Sequence, residues 1–348
     1  MRSFLFLNQP FPQCHGSTLA KFSNGSLVAA WFAGTREQHP DTAIWWCHEK
    51  DGKWTKPSVL AKVNDEAHWN PVLYQDPDGA MWVYFKTGGF PDRWDTWRSK
   101  FSFTTGWGTP KKLGSKMLEC GRMTPGPVRG KMVRLSSGTV IAPSSIEKII
   151  SRSSPHSVVK WESVIHRSTN GKKWTSFMIP FDRTAYGEFG GIIQPSVWET
   201  APGKVSALFR STCGLLFRSD SVDDGMTWSG VVPTGIPNPN SAVDVAVKGD
   251  VVALAFNPVS GNWAGRSPIS VAFSGMSGTE FGSVVHVEQG QGSFSYPAII
   301  ETENGFAMTY TWNRVNIAFA YVDVGPRGES SNVNASIRSG PEAYDFIN

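Results

Sequence analysis

The fold is decided by the stretch SVDDGMTW, which occupies residues 221–228. It follows the pattern S-x-D-x-G-x-T-W, in which each fixed residue has a role in a tight turn between two strands. The Ser and Asp side chains bond nearby backbone N–H groups, Gly supplies a positive φ, and Trp anchors the turn in the core. The stretch therefore predicts a strand-connecting turn held by an aromatic ring.

Four other segments end a turn on an aromatic ring in a similar way, namely CHEKDGKW, TTGW, STNGKKW and SGMSGTEF. Together with the first stretch they place anchors at Trp54, Trp107, Trp174, Trp228 and Phe281. The anchors recur at intervals of about fifty to seventy residues, which is the signature of a repeat-built domain. We therefore expect one domain rather than two, although 348 residues could hold two.

A second repeat fixes the number of units. Six times an apolar strand runs into a glycine turn and leaves as another apolar strand, with turn glycines Gly25, Gly79, Gly138, Gly203, Gly249 and Gly305. Each inner hairpin is followed by a third strand, the aromatic turn and an outer strand. Four strands per unit predict an all-β, six-bladed propeller, because such a small sheet buries its faces only against its neighbours.

The two ends of the chain favour this closed ring over a tandem of β-sandwiches or a solenoid. The sixth unit lacks a fourth strand, and residues 3–8 form an unassigned strand that can fill the gap. The propeller is predicted to span residues 1–325. Residues 326–348 are poor in apolar side chains, so we expect a flexible C-terminal tail.

Composition excludes several function classes. Charged residues make up 18% of the chain and the net charge is only +4, too slight and too scattered for a nucleic-acid footprint. Neither a membrane-spanning run nor a signal peptide is visible, so we expect no membrane partner and a cytoplasmic location, with secretion of a processed chain as the alternative. The cysteines Cys14, Cys47, Cys120 and Cys213 show no zinc-ligand spacing, and no metal or other cofactor is expected.

The repeat also predicts where functional side chains meet. The innermost strands of a propeller run along its axis, so equivalent strand ends converge on one pocket. Nine residues before each turn glycine stand Gly16, Asn70, Arg129, Gln194, Asn240 and Tyr296. Seven residues after each glycine stand Phe32, Lys86, Ser145, Arg210, Phe256 and Trp312. Any single polar residue in these sets could instead merely solvate a water-filled channel.

With these features the chain resembles the sialidase (neuraminidase) superfamily, whose members carry such turns, called Asp-boxes, on six-bladed propellers. The resemblance covers residues 1 to about 325 and implies an Arg grip on a substrate carboxylate, a catalytic Asp and a Tyr nucleophile. Carried over residue by residue, it implies an acid at Asp41, Arg residues at Arg210 and Arg266, and the nucleophile at Tyr296. Two positions depart from the pattern: His15-Gly16-Ser17 replaces the first R-I-P element, and Gln194 replaces the Glu base.

The departures leave the chemistry open. Gln194 can hydrogen-bond a phenol but cannot take its proton, and His15 weakens the anion grip. One interpretation is an exo-acting glycoside hydrolase on a terminal acidic sugar, with Asp41 as acid and Tyr296 or water attacking. A second is a lyase that eliminates at a uronate, with His15 or Tyr296 removing a proton. A third is a non-catalytic glycan-binding propeller, and a fourth an enzyme acting on a carboxylated metabolite that is not a sugar.

Other polar and aromatic residues near strand ends are candidate ligand contacts: Arg36, His68, Asn70, Lys86, Arg122, Asn240, Trp312 and Arg314. Trp69 and Trp263 could also stack on a sugar ring. Each candidate has a structural alternative. Asp41 could simply cap a turn, and His15 could be held by a backbone carbonyl. The expected partner is an acidic saccharide or a carboxylated small molecule.

Overall fold

Short strands joined by glycine turns make up nearly all of the regular structure. The computed structural model describes residues 2–118, 121–151, 158–171, 173–187, 190–325 and 333–347. Within these ranges the only helical segment is one 3-10 turn, Pro91–Arg93. No helix in the described parts of the chain is both long and apolar enough to span a membrane.

The strands form six blades in chain order, preceded by β1 (Ser3–Phe4) and β2 (Phe6–Leu7). Blade 1 contains β3 (Gln13–Lys21), β4 (Leu27–Gly34), β5 (Ala43–Lys50) and β6 (Lys53–Trp54), and β7 (Ser58–Ala61) also pairs with β5. Blade 2 contains β8 (His68–Gln75), β9 (Met81–Thr87), β10 (Asp95–Ser102) and β11 (Gly106–Trp107), and β12 (Lys111–Lys112) also pairs with β10. A separate hairpin follows, β13 (Lys116–Leu118) and β14 (Gly121–Met123).

The second half of the ring follows the same plan. Blade 3 contains β15 (Val133–Arg134), β16 (Val140–Ser151), β17 (Val158–Ser168) and β18 (Thr175–Met178). Blade 4 contains β19 (Ile192–Ala201), β20 (Lys204–Ser211), β21 (Leu215–Ser221) and β22 (Val232–Pro237). Blade 5 contains β23 (Asp244–Lys248), β24 (Val251–Phe256), β25 (Ile269–Gly275) and β26 (Val284–Glu288). Blade 6 contains β27 (Phe294–Thr302), β28 (Gly305–Trp312) and β29 (Asn316–Val324), and β30 (Ala335–Arg338) and β31 (Tyr344–Asp345) follow it. The predicted six-bladed propeller is confirmed.

The N-terminal strand closes the ring, as predicted. β1 pairs antiparallel with β29, with Ser3 opposite Phe319 and Phe4 opposite Ala318. The backbone N–H of Leu5 extends the pairing by donating to the carbonyl of Ile317 at 3.0 Å. The sixth blade thus takes its outer strand from the other end of the chain.

Residues 333–347, which were predicted to belong to a flexible C-terminal tail, contain two strands that pair with the propeller; residues 326–332 and 348 lie outside the described part. β1 covers only a short part of the edge of β29, and β30 pairs with the remainder, Tyr321 to Val324. β31 then pairs in parallel with β2, with Phe6 opposite Tyr344. An exposed strand edge offers unpaired backbone groups, and these pairings satisfy them.

The stretch at residues 221–228 folds as its sequence predicts. Asp223 Oδ1 accepts the N–H groups of Met226 at 3.0 Å and Thr227 at 2.8 Å, and Gly225 has φ of +77°. Slight burial opposes ionisation of Asp223, but the hydrogen bonds from Thr227 and Ser221 prevail and lower its pKa to about 2. The Asp-box turn is therefore a charged, fully bonded unit.

A left-handed residue recurs in every blade, within the inner strand of blades 1, 2, 4 and 6 and four residues before it in blades 3 and 5. The six positions nine residues before the turn glycines all have positive φ, from +44° at Asn70 to +64° at Arg129. In four blades the register of the inner hairpin shifts at this point, so the residue forms a β-bulge. A bulge re-aims the side chain next to it. This repeated kink turns the side chains of the five positions that are not glycine out of the sheets at one end of the ring.

Ring closure gives a first prediction. Phe6 is 0% exposed, and its ring centroid lies 5.5 Å from that of Phe11 and 5.1 Å from that of Trp31. We expect Phe6→Ala to lower the free energy of unfolding by about 3–5 kcal/mol, measured by urea denaturation. The control is Leu7→Ala, since Leu7 is 40% exposed and should cost about 0.5 kcal/mol or less. Equal losses would contradict this account of closure.

Candidate active site

Arg210 lies at the centre of the residues that the inner strands bring together, a region we call the hub. It is 2% exposed. Its Nε donates to Asn240 Oδ1 at 2.6 Å, and its Nη1 donates to Gln194 Oε1 at 3.1 Å and to Tyr296 Oη at 2.7 Å. Among the described residues Nη2 has no hydrogen-bond partner, so it is available to a ligand. One guanidinium thus connects the left-handed residues of blades 4, 5 and 6.

Tyr296 is surrounded by positive charge. The guanidinium carbons of Arg129 and Arg266 each lie 5.4 Å from its ring centroid, and that of Arg210 lies 5.7 Å away. The phenol oxygen accepts its hydrogen bond from the cationic Arg210. Cationic donors stabilise negative charge that develops on an oxygen. The arrangement therefore suits Tyr296 as a nucleophile.

The His15 ring packs against the ring of Tyr296, with centroids 4.1 Å apart. Its Nδ1 is 2.9 Å from Thr311 Oγ1, while Nε2 is buried and has no partner among the described residues. Burial holds the pKa of His15 well below its usual value, and the charges of Arg314, Arg266, Arg129 and Arg210 lower it further. His15 is therefore a neutral imidazole with one unused ring nitrogen facing the hub.

Arg129 crosses the axis and ties blades together. Its Nη1 donates to the Ser17 carbonyl at 2.7 Å, and its Nη2 donates to the Pro297 carbonyl. The sequence analysis placed Arg129 among the converging positions but did not select it as a site residue. The repeat could have identified Arg129 as a site residue, since Arg129 occupies the same position in blade 3 as Tyr296 does in blade 6.

The rim of the hub carries further arginines. Arg266 donates from Nη2 to the Asn240 carbonyl at 3.3 Å. Arg314 forms an ion pair with Glu37, and both line a narrow recess together with His15 and the exposed Arg36. Asn70 lies deeper, where its Oδ1 is 3.4 Å from the point that a Cβ on Gly16 would occupy. These candidates from the sequence analysis lie in or beside the hub.

Two tryptophans enclose Arg210. Its guanidinium carbon lies 5.3 Å from the ring centroid of Trp161 and 5.4 Å from that of Trp263. Trp263 is 64% exposed and has φ of +59°, an uncommon conformation for a bulky residue. Its neighbour Asn262 accepts a hydrogen bond from Asn240 at 2.7 Å, which pins the loop to the hub. Trp263 thus presents an open aromatic face beside the guanidinium, where a ligand could stack.

Asp41 takes part in a turn beside the site. Its carboxylate accepts the N–H of Thr35 at 3.1 Å and the Thr35 hydroxyl at 2.6 Å, and it pairs with His39 at 2.7 Å. Slight burial opposes ionisation, but these bonds prevail and lower the pKa of Asp41. These contacts are those of a residue that caps a turn, and the Asp41 carboxyl group is charged at neutral pH.

Two other candidates are held by structural bonds. His68 accepts the N–H of Val63 at Nε2, at 3.0 Å, and its Nδ1 lies 2.9 Å from the Glu66 carbonyl, so neither ring nitrogen is available to a ligand. Lys86 is fully buried and donates to Thr96 and Thr124. Burial lowers the pKa of Lys86 to about 7, although the charge of Asp95 opposes the shift. The ligand-binding roles of His68 and Lys86 stay predictions, and in this structure both side chains are engaged in internal bonds.

Arg122 and Trp312 are also engaged in internal contacts, and their ligand-binding roles stay predictions. Arg122 forms an ion pair with Asp95, which also pairs with Lys112 at 2.7 Å. Trp312 donates its indole N–H to Glu288 at 3.2 Å and packs edge-on against Phe4, with centroids 5.3 Å apart. Both side chains serve contacts within or between strands rather than the hub. No group of three or more His, Cys, Asp or Glu suited to a metal ion occurs among the residues that the structure describes.

A family model described as a BNR repeat-like domain matches residues 25–308. The chain belongs to the BNR repeat-like domain family. Several solved structures share this sialidase-like BNR propeller. A Dyadobacter fermentans protein of unknown function has 19% identity and a TM-score of 0.73, over 91% of this chain and 96% of that one. The Hadza microbial sialidase Hz136 has 14% identity and a TM-score of 0.72, over 92% and 68% of the two chains.

A third neighbour of this BNR propeller is the intramolecular trans-sialidase from Ruminococcus gnavus, at 12% identity with a TM-score of 0.66 over 91% of this chain and 96% of that one. A search of curated proteins gives no match. These identities are low, so the neighbours establish the fold. The chemistry has to be argued from the hub residues themselves.

The axial bridge of Arg129 gives a second prediction. Arg129→Ala leaves the buried carbonyls of Ser17 and Pro297 without their donor. We expect the free energy of unfolding to fall by about 2–5 kcal/mol, because each buried unpaired acceptor costs about 1–3 kcal/mol. Urea denaturation measures the change, with Arg93→Ala as control because Arg93 is exposed. A loss no larger than that of the control would show that the bridge adds nothing to stability.

Proposed function

We propose that this protein is an exo-acting glycoside hydrolase for a terminal sugar that carries a carboxylate. The observation behind the proposal is the contact of Arg210 with Tyr296, in which a cationic donor lies 2.7 Å from a phenol oxygen at the hub. The same guanidinium keeps Nη2 for a substrate carboxylate. Anion binding and nucleophilic attack would then occur at neighbouring atoms.

The charge of the hub supports an anionic substrate. Four arginines, Arg129, Arg210, Arg266 and Arg314, act on His15 strongly enough to lower its pKa. Arg129 is committed to backbone carbonyls, which leaves Arg210, Arg266 and the exposed Arg36 for a ligand. A cleft lined by one sign of charge concentrates ligands of the opposite sign. A carboxylated sugar meets this field with a planar group suited to guanidinium.

Hydrolysis would proceed with Tyr296 or a water molecule attacking the anomeric carbon. Gln194 cannot remove a proton from the phenol, since an amide is not a base. Its carbonyl oxygen instead accepts from Arg210, which fixes the guanidinium against Tyr296. Gln194 is therefore a positioning residue in this proposal. Trp263 would pack on an apolar face of the sugar or on its aglycone.

Tyr296→Phe tests the nucleophile. Removing one oxygen should leave folding intact and reduce turnover of an acidic glycoside by about 10⁴-fold or more, as losing a covalent nucleophile does in other enzymes. Release of a reducing sugar measures turnover, and the melting temperature verifies the fold. An active Phe variant would remove Tyr296 from the mechanism and leave water as the attacking group.

Arg210→Ala tests the anion grip. Affinity for a carboxylated sugar should fall by about 10–100-fold, because hydrogen bonds to charged groups contribute about 1.5–3 kcal/mol. Affinity for the methyl ester of the same sugar should change by only about threefold. Isothermal titration calorimetry with both ligands makes the comparison on one variant. Equal losses for acid and ester would contradict a carboxylate site at Arg210.

A second candidate function, β-elimination at a uronate, is favoured by one observation. His15 is neutral, and its buried Nε2, which has no partner within the described part of the chain, lies beside Tyr296, as a base that removes a proton requires. The products separate the two functions: elimination gives an unsaturated uronate that absorbs in the near ultraviolet, and hydrolysis gives a reducing end without that absorbance. Binding with neither product would indicate a glycan-binding propeller instead.

A further inference from the structure

Glu147 lies on the side of β16 that faces the hub. Two residues earlier on the same strand, the Ser145 hydroxyl accepts the backbone N–H of Gln194 at 2.8 Å. Residues 146 and 148 point the other way, because a Cβ on Gly121 would meet Ile146 at 2.8 Å and Lys148 at 3.3 Å. Side chains alternate along a strand. Glu147 therefore shares its face with Ser145 and is directed towards blade 4.

The neighbours of Glu147 connect it to Arg210. Glu147 is directly opposite Trp161 on β17, and such cross-strand pairs have Cβ atoms about 5 Å apart. The Trp161 ring in turn lies 5.3 Å beneath the Arg210 guanidinium. The charged groups that act on Glu147 are Arg210 from β20 and Glu37 from the loop after β4, whose partner is Arg314. A carboxyl group thus stands beside the anion-binding arginine, where the sequence analysis expected none.

Burial raises the pKa of Glu147 to about 7; the charge of Arg210 opposes the shift, and the charge of Glu37 adds to it. Near neutral pH this carboxyl is protonated in a large fraction of molecules. Asp41 is the opposite case, since the bonds from Thr35 and His39 keep it ionised. When the surroundings push the pKa values of two carboxyl groups apart in this way, the group with the raised pKa suits a proton donor.

We propose that Glu147, rather than Asp41, is the general acid of the hub. The proposal rests on the hydrolase function argued above. Its geometric basis is that Glu147 shares the Trp161 and Arg210 cluster, while Asp41 is bonded into its own turn.

The proposed reaction has two steps. In the first, the Tyr296 oxygen bonds the anomeric carbon beside Arg210 and the phenol proton passes to solvent water, while the glycosidic C–O bond breaks. The leaving oxygen keeps the electron pair of that bond and takes the proton of Glu147. In the second, water bonds the anomeric carbon, Glu147 takes a water proton, and the bond to Tyr296 breaks, with the departing phenol oxygen recovering a proton from solvent water. The net reaction is hydrolysis, and both side chains are regenerated.

Glu147→Gln tests this role with two substrates of one acidic sugar, an alkyl glycoside and a p-nitrophenyl glycoside. Loss of a general acid should slow the alkyl glycoside by about 10²–10⁴-fold, and the p-nitrophenyl glycoside, whose leaving group needs little protonation, by less than about tenfold. The fall of wild-type kcat/KM as pH rises through about 7 should also disappear. Glu301→Gln is the matched control, since Glu301 is exposed on β27.

The proposal would be overturned if Glu147→Gln slowed both substrates equally and left the pH profile of kcat/KM unchanged. It would also be overturned if Asp41→Asn removed the fall of kcat/KM near pH 7. A binding measurement distinguishes an error in the role of Glu147 from an error in the proposed hydrolase function. Calorimetry with free glucuronate should show wild-type affinity falling between pH 6 and pH 8, as ionised Glu147 repels the anion, and Glu147→Gln should abolish that fall. His15 stays neutral across this range. A wild type that binds with this dependence but hydrolyses nothing refutes the hydrolase; a dependence that survives in Glu147→Gln refutes Glu147.

Discussion

The structure depends on one backbone constraint, the left-handed residue at which each inner strand enters the hub. An L-residue other than glycine pays about 1–2 kcal/mol for this conformation, and five of the six positions are not glycine. Such strain persists where the surroundings hold the residue in place. Here the side-chain bonds of Gln194, Asn240 and Tyr296 with Arg210 do so, and the result is a set of functional groups presented at one end of the ring.

Below these residues the axis is filled with charge that serves stability. Lys131 donates to Asp244 at 2.7 Å and to the Ile299 carbonyl at 2.9 Å, and Asp244 also accepts the N–H of Ile299 at 2.9 Å. Arg129 bridges two more blades a short distance above. Buried charges are tolerated when they are fully paired and hydrogen-bonded. The propeller thus uses Arg129 and Lys131 as cross-links and leaves Arg210 and the rim arginines for a ligand.

Counting along the repeat predicted the hub but not every side chain near it. Positions nine residues before the turn glycines converge, since the backbone kink there is the same in each blade. Positions seven residues after them are equivalent in the backbone and differ in direction. Arg210 reaches into the hub, Lys86 turns to Thr96 and Thr124, and Trp312 turns to Phe4 and Glu288. At these positions the hydrogen-bond and packing partners that surround each side chain select its rotamer. A repeat pattern in the sequence does not predict those partners.

The sequence alone determined the number of blades, the closing strand and the positions nine residues before the turn glycines, because turn chemistry and strand periodicity are local properties that recur in every unit. Only the tertiary structure decided that Asp41 is held in its own turn, that Glu147 stands beside Arg210, and that β30 and β31 cover an edge. These outcomes depend on contacts between segments distant in sequence, such as Glu147 with blade 4 and β31 with β2. Burial and hydrogen bonding across such contacts, and not residue type, set the protonation state on which the proposed chemistry relies.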